Sequence, residues 1–283
     1  MAHLENAGRR SSQRAEHTGI RQTGSRFWLR LEPWLPVIFA GCGLTLWEGL
    51  SRAGHVSRLF FPAPSTILTT LVQMTASGKL LPHLEATLLR LVIGFSGGAL
   101  VGLVLGLGMG WSPRLRAIVD PLIAAIHPIP KIAIFPLIMI IFGIGEASKI
   151  VAIAIAAFFP MLISCMSGVR QLNPVYFEVT HNFGASAWKT FSRVIIPGSL
   201  PSILTGVRLA VNISMVIAVA VELLAAKEGL GVVIWFSWQT LRIEELYASL
   251  VVIGLLGVGI NLSLQFLSRR FVPWHLEQAE RQE

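Results

Sequence analysis

Few residues of this 283-residue chain have the type and spacing to do chemistry, and those few point to charge handling rather than bond making. The seven histidines are scattered and join no cluster of Asp or Glu at metal-ligand or acid–base spacing. No G-x-x-x-x-G-K-[ST] phosphate loop occurs, so the chain has no means of hydrolysing ATP itself. The expectation is a protein that is not an enzyme and has no metal or cofactor of its own. Lys131 lies near the middle of an apolar run, with His127 four residues before it. A lysine at hydrocarbon depth costs ~2.5 kcal/mol or more, and it normally faces a cavity or a partner. One reading makes His127 and Lys131 an electropositive lining on a substrate pathway for an anion. The other has a kink bring Lys131 to the interface, or pairs it with Asp120 or another carboxylate. Arg208 lies about two turns beyond Pro201 in a later apolar run. It is read as reaching back to the membrane interface and supporting the polar segment that precedes it.

Composition sets the class of element that must hold these groups. Hydrophobic residues make up 53% of the chain and charged residues only 13%, against ~25% charged in a soluble domain. Mean hydropathy is +0.67. Cys42 and Cys165 both fall inside apolar runs and read as small buried hydrophobes. The net charge of +8 needs no nucleic acid to explain it, because the basic residues gather in tails and loops between apolar runs. About thirty polar residues precede the first such run, so no cleavable signal peptide is visible. Residues 1–30 read as a disordered, basic cytoplasmic tail.

A spanning helix needs ~20 largely apolar residues. Six segments qualify or nearly do: Trp34–Leu50, Thr87–Gly110, Ala117–Gly143, Ile150–Gly168, Pro201–Ala226 and Leu246–Leu267. The expected fold is therefore all-α, a polytopic membrane protein with a six-span domain over 31–270 and a short C-terminal tail over 271–283. With both termini inside, fourteen Lys and Arg lie on the inner side against six outside, which favours that orientation in a bilayer. Between the first two spans, Phe61–Gly78 reads as an amphipathic helix capped by Ser65 and ended by Gly78. Its apolar residues Ile67, Leu68, Leu71 and Val72 share one face. Gly94, Gly98, Gly102, Gly106 and Gly110 recur every fourth residue, on one helix face where another backbone can approach closely. The third segment holds Pro121, Pro128, Pro130 and Pro136, so its helix must be interrupted.

The stretch Asn173–Pro201 is polar and basic, and long for a membrane-protein connection. Asn173 is a good helix N-cap and Pro174 a good first residue. Gly184 can take the positive φ that ends this helix, and Ser186 can cap a second one. Pro197 and Pro201 bracket the start of the next span. Two short helices set at an angle would make a compact docking surface for a soluble partner, with Glu178 paired to Arg170 or Arg193 as a brace. Glu222, near the other end of the following span, reads as a gate, a contact for a receptor protein, or an interface carboxylate with no special role.

The spacing of Glu178, Gly184 and Val194-x-Ile196-Pro197 resembles the EAA loop of ABC-importer permeases. HPIPKIAIFPLIMIIFGIGEASKI, then AAFFP, then EVTHNFGASAWKTFSRVIIPGSLPSILTGVRLA look like the nitrate/sulfonate/taurine group of that family, over about residues 60–270. The resemblance implies a type I importer permease core in the inner membrane. It implies a small cargo delivered from outside, here a sulfonate, taurine or nitrate-like anion, with a non-anionic, thiamine-precursor-like solute as the alternative. Its implied partners are ABC ATPase subunits, which bind the ATP, an external solute-binding protein, and a second permease copy forming a homodimer. The ATPase-coupling loop is then carried by Glu178, Val179, Thr180, Gly184, Ala185, Ser186, Val194, Ile196 and Pro197. Val179 and Thr180 depart from the two alanines of the family motif, and both are β-branched. A gradient-driven secondary transporter is the competing class. It would be expected to show inverted repeats and acidic residues inside its spans, and the sequence offers no convincing repeat and few such acids.

Overall fold

The computed structural model describes residues 34–271, so the tail read at 1–30, and all but the first residue of the tail read at 271–283, lie outside the described residues. All regular elements among the described residues are helices. The chain divides into two units, one ending at Ser65 and one beginning at Thr66.

In the first unit, helix α1 (Leu35–Arg52) carries the first apolar run. Glu48 near its end accepts hydrogen bonds from the backbone N–H of Ser65 (3.0 Å) and from its hydroxyl (2.7 Å). Helix α2 (Pro64–Ala76) therefore begins before Ser65, whose hydroxyl serves Glu48 rather than the helix N-terminus. Along α2, Ile67 and Met74 are buried, whereas Leu68 and Val72 are exposed; the expected apolar face is only partly packed. Gly78 ends the turn after it at φ 73°, as its sequence position suggested. Cys42 is exposed, against the sequence expectation, and Cys165 is buried.

The second unit is built on the glycine ladder. Helix α3 (Leu80–Trp111) packs along helix α6 (Glu146–Arg170). A Cβ at Gly98 would collide with the carbonyl of Ala154, at Gly102 it would stand 2.6 Å from the Phe158 oxygen, and at Gly106 2.5 Å from the Leu162 oxygen. Only hydrogen fits at these positions, so the two backbones touch without side chains between them. The contacts advance together along both helices, so α3 and α6 run parallel. The chain between them must therefore return the full length of the bundle.

That return is the interrupted third segment. It consists of α4 (Pro113–Ile126) and α5 (Phe135–Phe142), separated by a turn that contains Pro128 and Pro130. Pro121 is accommodated inside α4, and Pro136 sits in the first turn of α5, where its missing N–H costs nothing. Helix α6 then leads into α7 (Pro174–Asn182) and α8 (Ala187–Ala225). Gly206 of α8 lies against Ser164 and Met161, and Gly168 of α6 against Ser202, so α8 runs antiparallel to α6. A short apolar helix, α9 (Leu230–Gln239), precedes the last, α10 (Ile243–Phe271).

Four helices, α3, α6, α8 and α10, are long and apolar enough to cross a membrane. They match four of the six expected spans, with helical ends that extend past the apolar cores. The third expected span is shared between α4 and α5, and α1, at 18 residues, stands for the first.

Candidate functional site

The 173–201 segment folds much as its residues dictate. The Asn173 side chain accepts from Val175 N–H at 3.0 Å and caps α7. Gly184 takes φ 64°, Gly184 N–H donates to His181 O (3.0 Å), and Ala185 N–H donates to Thr180 O (2.9 Å), which closes the helix end. Ser186 then caps α8 through Lys189 N–H at 3.4 Å.

The second helix is not a separate short piece. It runs through a π turn, Phe191–Ile195, straight into the span, giving one helix of 39 residues. Ile196 N–H donates to Phe191 O, five residues back. Pro197 has no N–H for the carbonyl of Arg193, four residues earlier, and the wider turn lies immediately ahead of that gap. Pro201 is likewise absorbed inside the helix, and the Ser199 hydroxyl donates to Ile195 O at 2.6 Å. Val194 and Ile196 are half-buried here, and Pro197 is exposed.

Aromatic side chains tie the segment to the bundle. Trp188 and Trp111 both stack on Phe191, at centroid distances of 6.0 and 5.3 Å. Phe177 of α7 packs with Phe191 on a core that includes Cys165, Val169 and Ile195. The outward side of the segment is apolar and uncovered: Val175, Tyr176 and Val179 are exposed, Phe183 is 86% exposed and Trp188 71%. Glu178 is exposed and makes no ion pair with Arg170 or Arg193 among the described residues, so the expected brace is not formed.

His127 and Lys131 do come together. His127 caps the end of α4, and the Lys131 ammonium donates to the His127 carbonyl. The same ammonium stands 4.8 Å from the centroid of the Phe159 ring, and the His127 ring meets Phe159 edge-on at 5.4 Å. Lys131 has no carboxylate partner among the described residues. Phe159, which the sequence did not single out, is the shared contact.

At the end of the bundle opposite α7 lies a buried ionic network that sequence reasoning missed. Glu222 of α8 is 1% exposed and accepts from Arg90 (2.8 Å), from the Thr87 hydroxyl (2.9 Å) and from Gly231 N–H (3.0 Å). Arg90 also holds Glu146 at 2.5 and 2.9 Å and donates to Glu228 O at 2.6 Å. Lys149 completes the set with Glu146 at 2.8 Å. Four helices and the α8–α9 connection meet at this point. Gly229, at φ 131°, and Gly231 lack side chains where a Cβ would strike Glu222. One signal was available: Arg90 is the sole charged residue between Thr87 and Gly110. Arg208 is exposed and lines a cleft with α10. Among the described residues no three His, Cys, Asp or Glu side chains could hold a metal ion.

A bundle of apolar helices with one uncovered apolar knob fits a transport component, and residues 98–275 match the family described as binding-protein-dependent transport system inner membrane component. The chain belongs to this family. Membership makes it a permease component of a transport system, multi-pass in the inner membrane, rather than an enzyme, and implies a binding protein and an ATPase as partners. It is 36% identical over 239 residues to the taurine transport system permease protein TauC of Escherichia coli (strain K12), covering 83% of this chain and 87% of that one. It is 32% identical over 231 residues to the putative aliphatic sulfonates transport permease protein SsuC of Bacillus subtilis (strain 168), covering 82% and 84%. Its fold is similar to that of the MetNI methionine ABC transporter in an inward-facing conformation. The TM-score is 0.58 at 17% identity, covering 68% of this chain and 95% of that one.

Proposed function

We propose that this chain is the permease of an ATP-driven importer for a small sulfonate, taurine or a short alkanesulfonate, working as a homodimer with both termini in the cytoplasm. The observation that carries the coupling half of this reading is the uncovered apolar face of Val175, Tyr176, Val179, Phe183 and Trp188. Exposed aromatic groups on a rigid polar loop mark a docking surface. An ATPase subunit, which binds the ATP, seats there. Its closure displaces α7 and the start of α8, and the unbroken α8 carries that displacement into the membrane. Glu178, with no ion-pair partner among the described residues, is placed to meet the ATPase, and Gly184 sets the angle between the two helices. His127 and Lys131 give the pathway positive character for an anion. The substrate class follows the printed names of the taurine and aliphatic sulfonate relatives.

The test is reconstitution of the chain in vesicles with its co-encoded ATPase and binding protein. ATP-dependent accumulation of radiolabelled taurine or of a short alkanesulfonate is the expected result. Transport of neither, in vesicles where loaded binding protein still stimulates ATP hydrolysis, overturns the substrate reading.

A further inference from the structure

We propose that the cleft between α8 and α10 is an oxyanion subsite of the import pathway, in which the Arg208 guanidinium takes the sulfonate group and the amide of Gln265 steadies it. This rests on the sulfonate reading above and assigns residues to it.

The cleft has a volume of about 510 Å³ and is lined by Arg208, Gly254, Gly257, Asn261 and Gln265, among others. Its polar groups are set by helix periodicity. Arg208 and Asn212 are four apart on α8, and Gly257, Asn261 and Gln265 are each four apart on α10, so each set holds one face. Gly254 and Gly257 leave the α10 side of the cleft open: a Cβ at Gly254 would meet nothing within 4 Å, and one at Gly257 would only graze Met215.

Two helices that are otherwise strongly apolar thus turn an arginine, an asparagine and a glutamine to one shared cleft. Polar side chains at membrane depth normally face a partner or a water-filled cavity, since hydrocarbon leaves them unsatisfied. The asparagines satisfy part of one another. Asn261 Nδ2 donates to Asn212 Oδ1 at 3.0 Å and to Gly257 O at 2.9 Å, and Asn212 Nδ2 donates back at 3.5 Å. An amide nitrogen carries two hydrogens, so both of those on Asn261 are taken, while Gln265 makes no side-chain hydrogen bond among the described residues and keeps its donors. Arg208 is exposed and has no ion pair among the described residues. No carboxylate lines the cleft. A cation with a planar fork of donors, flanked by amides and opposed by no acid, suits an oxyanion that stays ionised at every physiological pH. A sulfonate is such a group.

A guanidinium that merely reached the membrane interface would behave differently, and lysine separates the two cases. Lysine keeps the charge and the reach but loses the fork. In vesicles holding the complete complex, with taurine as substrate and saturating binding protein, Arg208→Lys lowers uptake about tenfold or more. Assembly and ATP hydrolysis stay near native. Uptake within about twofold of native overturns the subsite while leaving the sulfonate reading in place. If the native complex moves neither taurine nor an alkanesulfonate, the sulfonate reading fails and the subsite falls with it. Accessibility supplies a second readout. In a chain with Cys42→Ser and Cys165→Ser, a membrane-impermeant, negatively charged thiosulfonate reagent reacts with Gln265→Cys, forming a mixed disulfide and releasing methanesulfinate. It spares Leu255→Cys, which is also exposed but lies outside the cleft. A Gln265→Cys variant as inert as Leu255→Cys shows the cleft sealed by lipid or a second copy, and overturns the proposal.

Discussion

The Arg90 guanidinium and the Glu222 carboxylate meet at 2.8 Å in the protein interior, with 5% and 0% of their side chains exposed. Neither charge is held by the pair alone. Thr87 and Gly231 complete the coordination of Glu222, and Glu146 with the Glu228 carbonyl completes that of Arg90. A fully bonded buried pair is costly to break from one side, because the survivor is left uncompensated.

Arg90→Met should therefore destabilise the protein by about 3–5 kcal/mol, whereas the double variant Arg90→Met, Glu222→Leu should recover part of that loss. Thermal unfolding in detergent measures both. A double variant that is worse by the sum of the two single losses would show that the pair does not act as a unit.

The glycine seam contains its own control. Gly98→Ala places a methyl group on the Ala154 carbonyl and should cost roughly 1–3 kcal/mol, while Gly97→Ala next to it meets nothing within 4 Å and should be nearly neutral. Equal stability of the two variants would refute backbone contact between α3 and α6.

Gly184 stands in open space, so its substitution tests conformation rather than packing. At φ 64°, Gly184→Val should strain the turn between α7 and α8 by about 1–2 kcal/mol and separate ATP hydrolysis from uptake, whereas Gly184→Asn should stay close to native. Normal uptake by the valine variant would remove the turn from the coupling path.

Lys131→Gln should slow anion uptake severalfold at saturating binding protein, with expression and ATPase assembly near native. Phe159→Leu removes the ring under the ammonium but leaves the charge, and should cost less. Unchanged uptake in both Lys131→Gln and Lys131→Met would make the lysine a local brace on the His127 carbonyl and nothing more.

A reporter active only outside the cytoplasm should be silent when fused after Arg281 and active when fused near Ser77. Activity after Arg281 would reverse the orientation drawn from the basic residues.

What could be read from the sequence depended on how local the cause was. The glycine ladder was legible because close backbone contact requires the same small residue at a fixed interval, whatever lies opposite. The break at Pro128 and Pro130 and the caps at Asn173 and Ser186 were legible because each acts within a few residues of itself. The Arg90–Glu222 pair was not, since the partners are 132 residues apart and only the folded bundle brings them together. The continuity of α8 was also hidden. Two prolines in five residues argue for a boundary, but a π turn lies immediately ahead of Pro197 and the helix runs on through both. The Glu178 brace failed for a different reason: Arg170 and Arg193 were near in sequence, and nothing in the fold turns either toward it.

The length of α8 has a mechanical consequence. Its 39 residues make a rod of ~58 Å, nearly twice the ~30 Å of a hydrocarbon core, so one piece of backbone is long enough to cross the core and project well beyond it. Moved as one piece, such a rod would work as a lever. A swing of about 10° at the Trp188 end becomes a stroke of roughly 10 Å at the far end, where Glu222 is fastened to Arg90. The fastening thus sets where the fulcrum can lie: either the whole cluster travels with the lever, or α8 pivots about it and the greatest stroke falls at the knob.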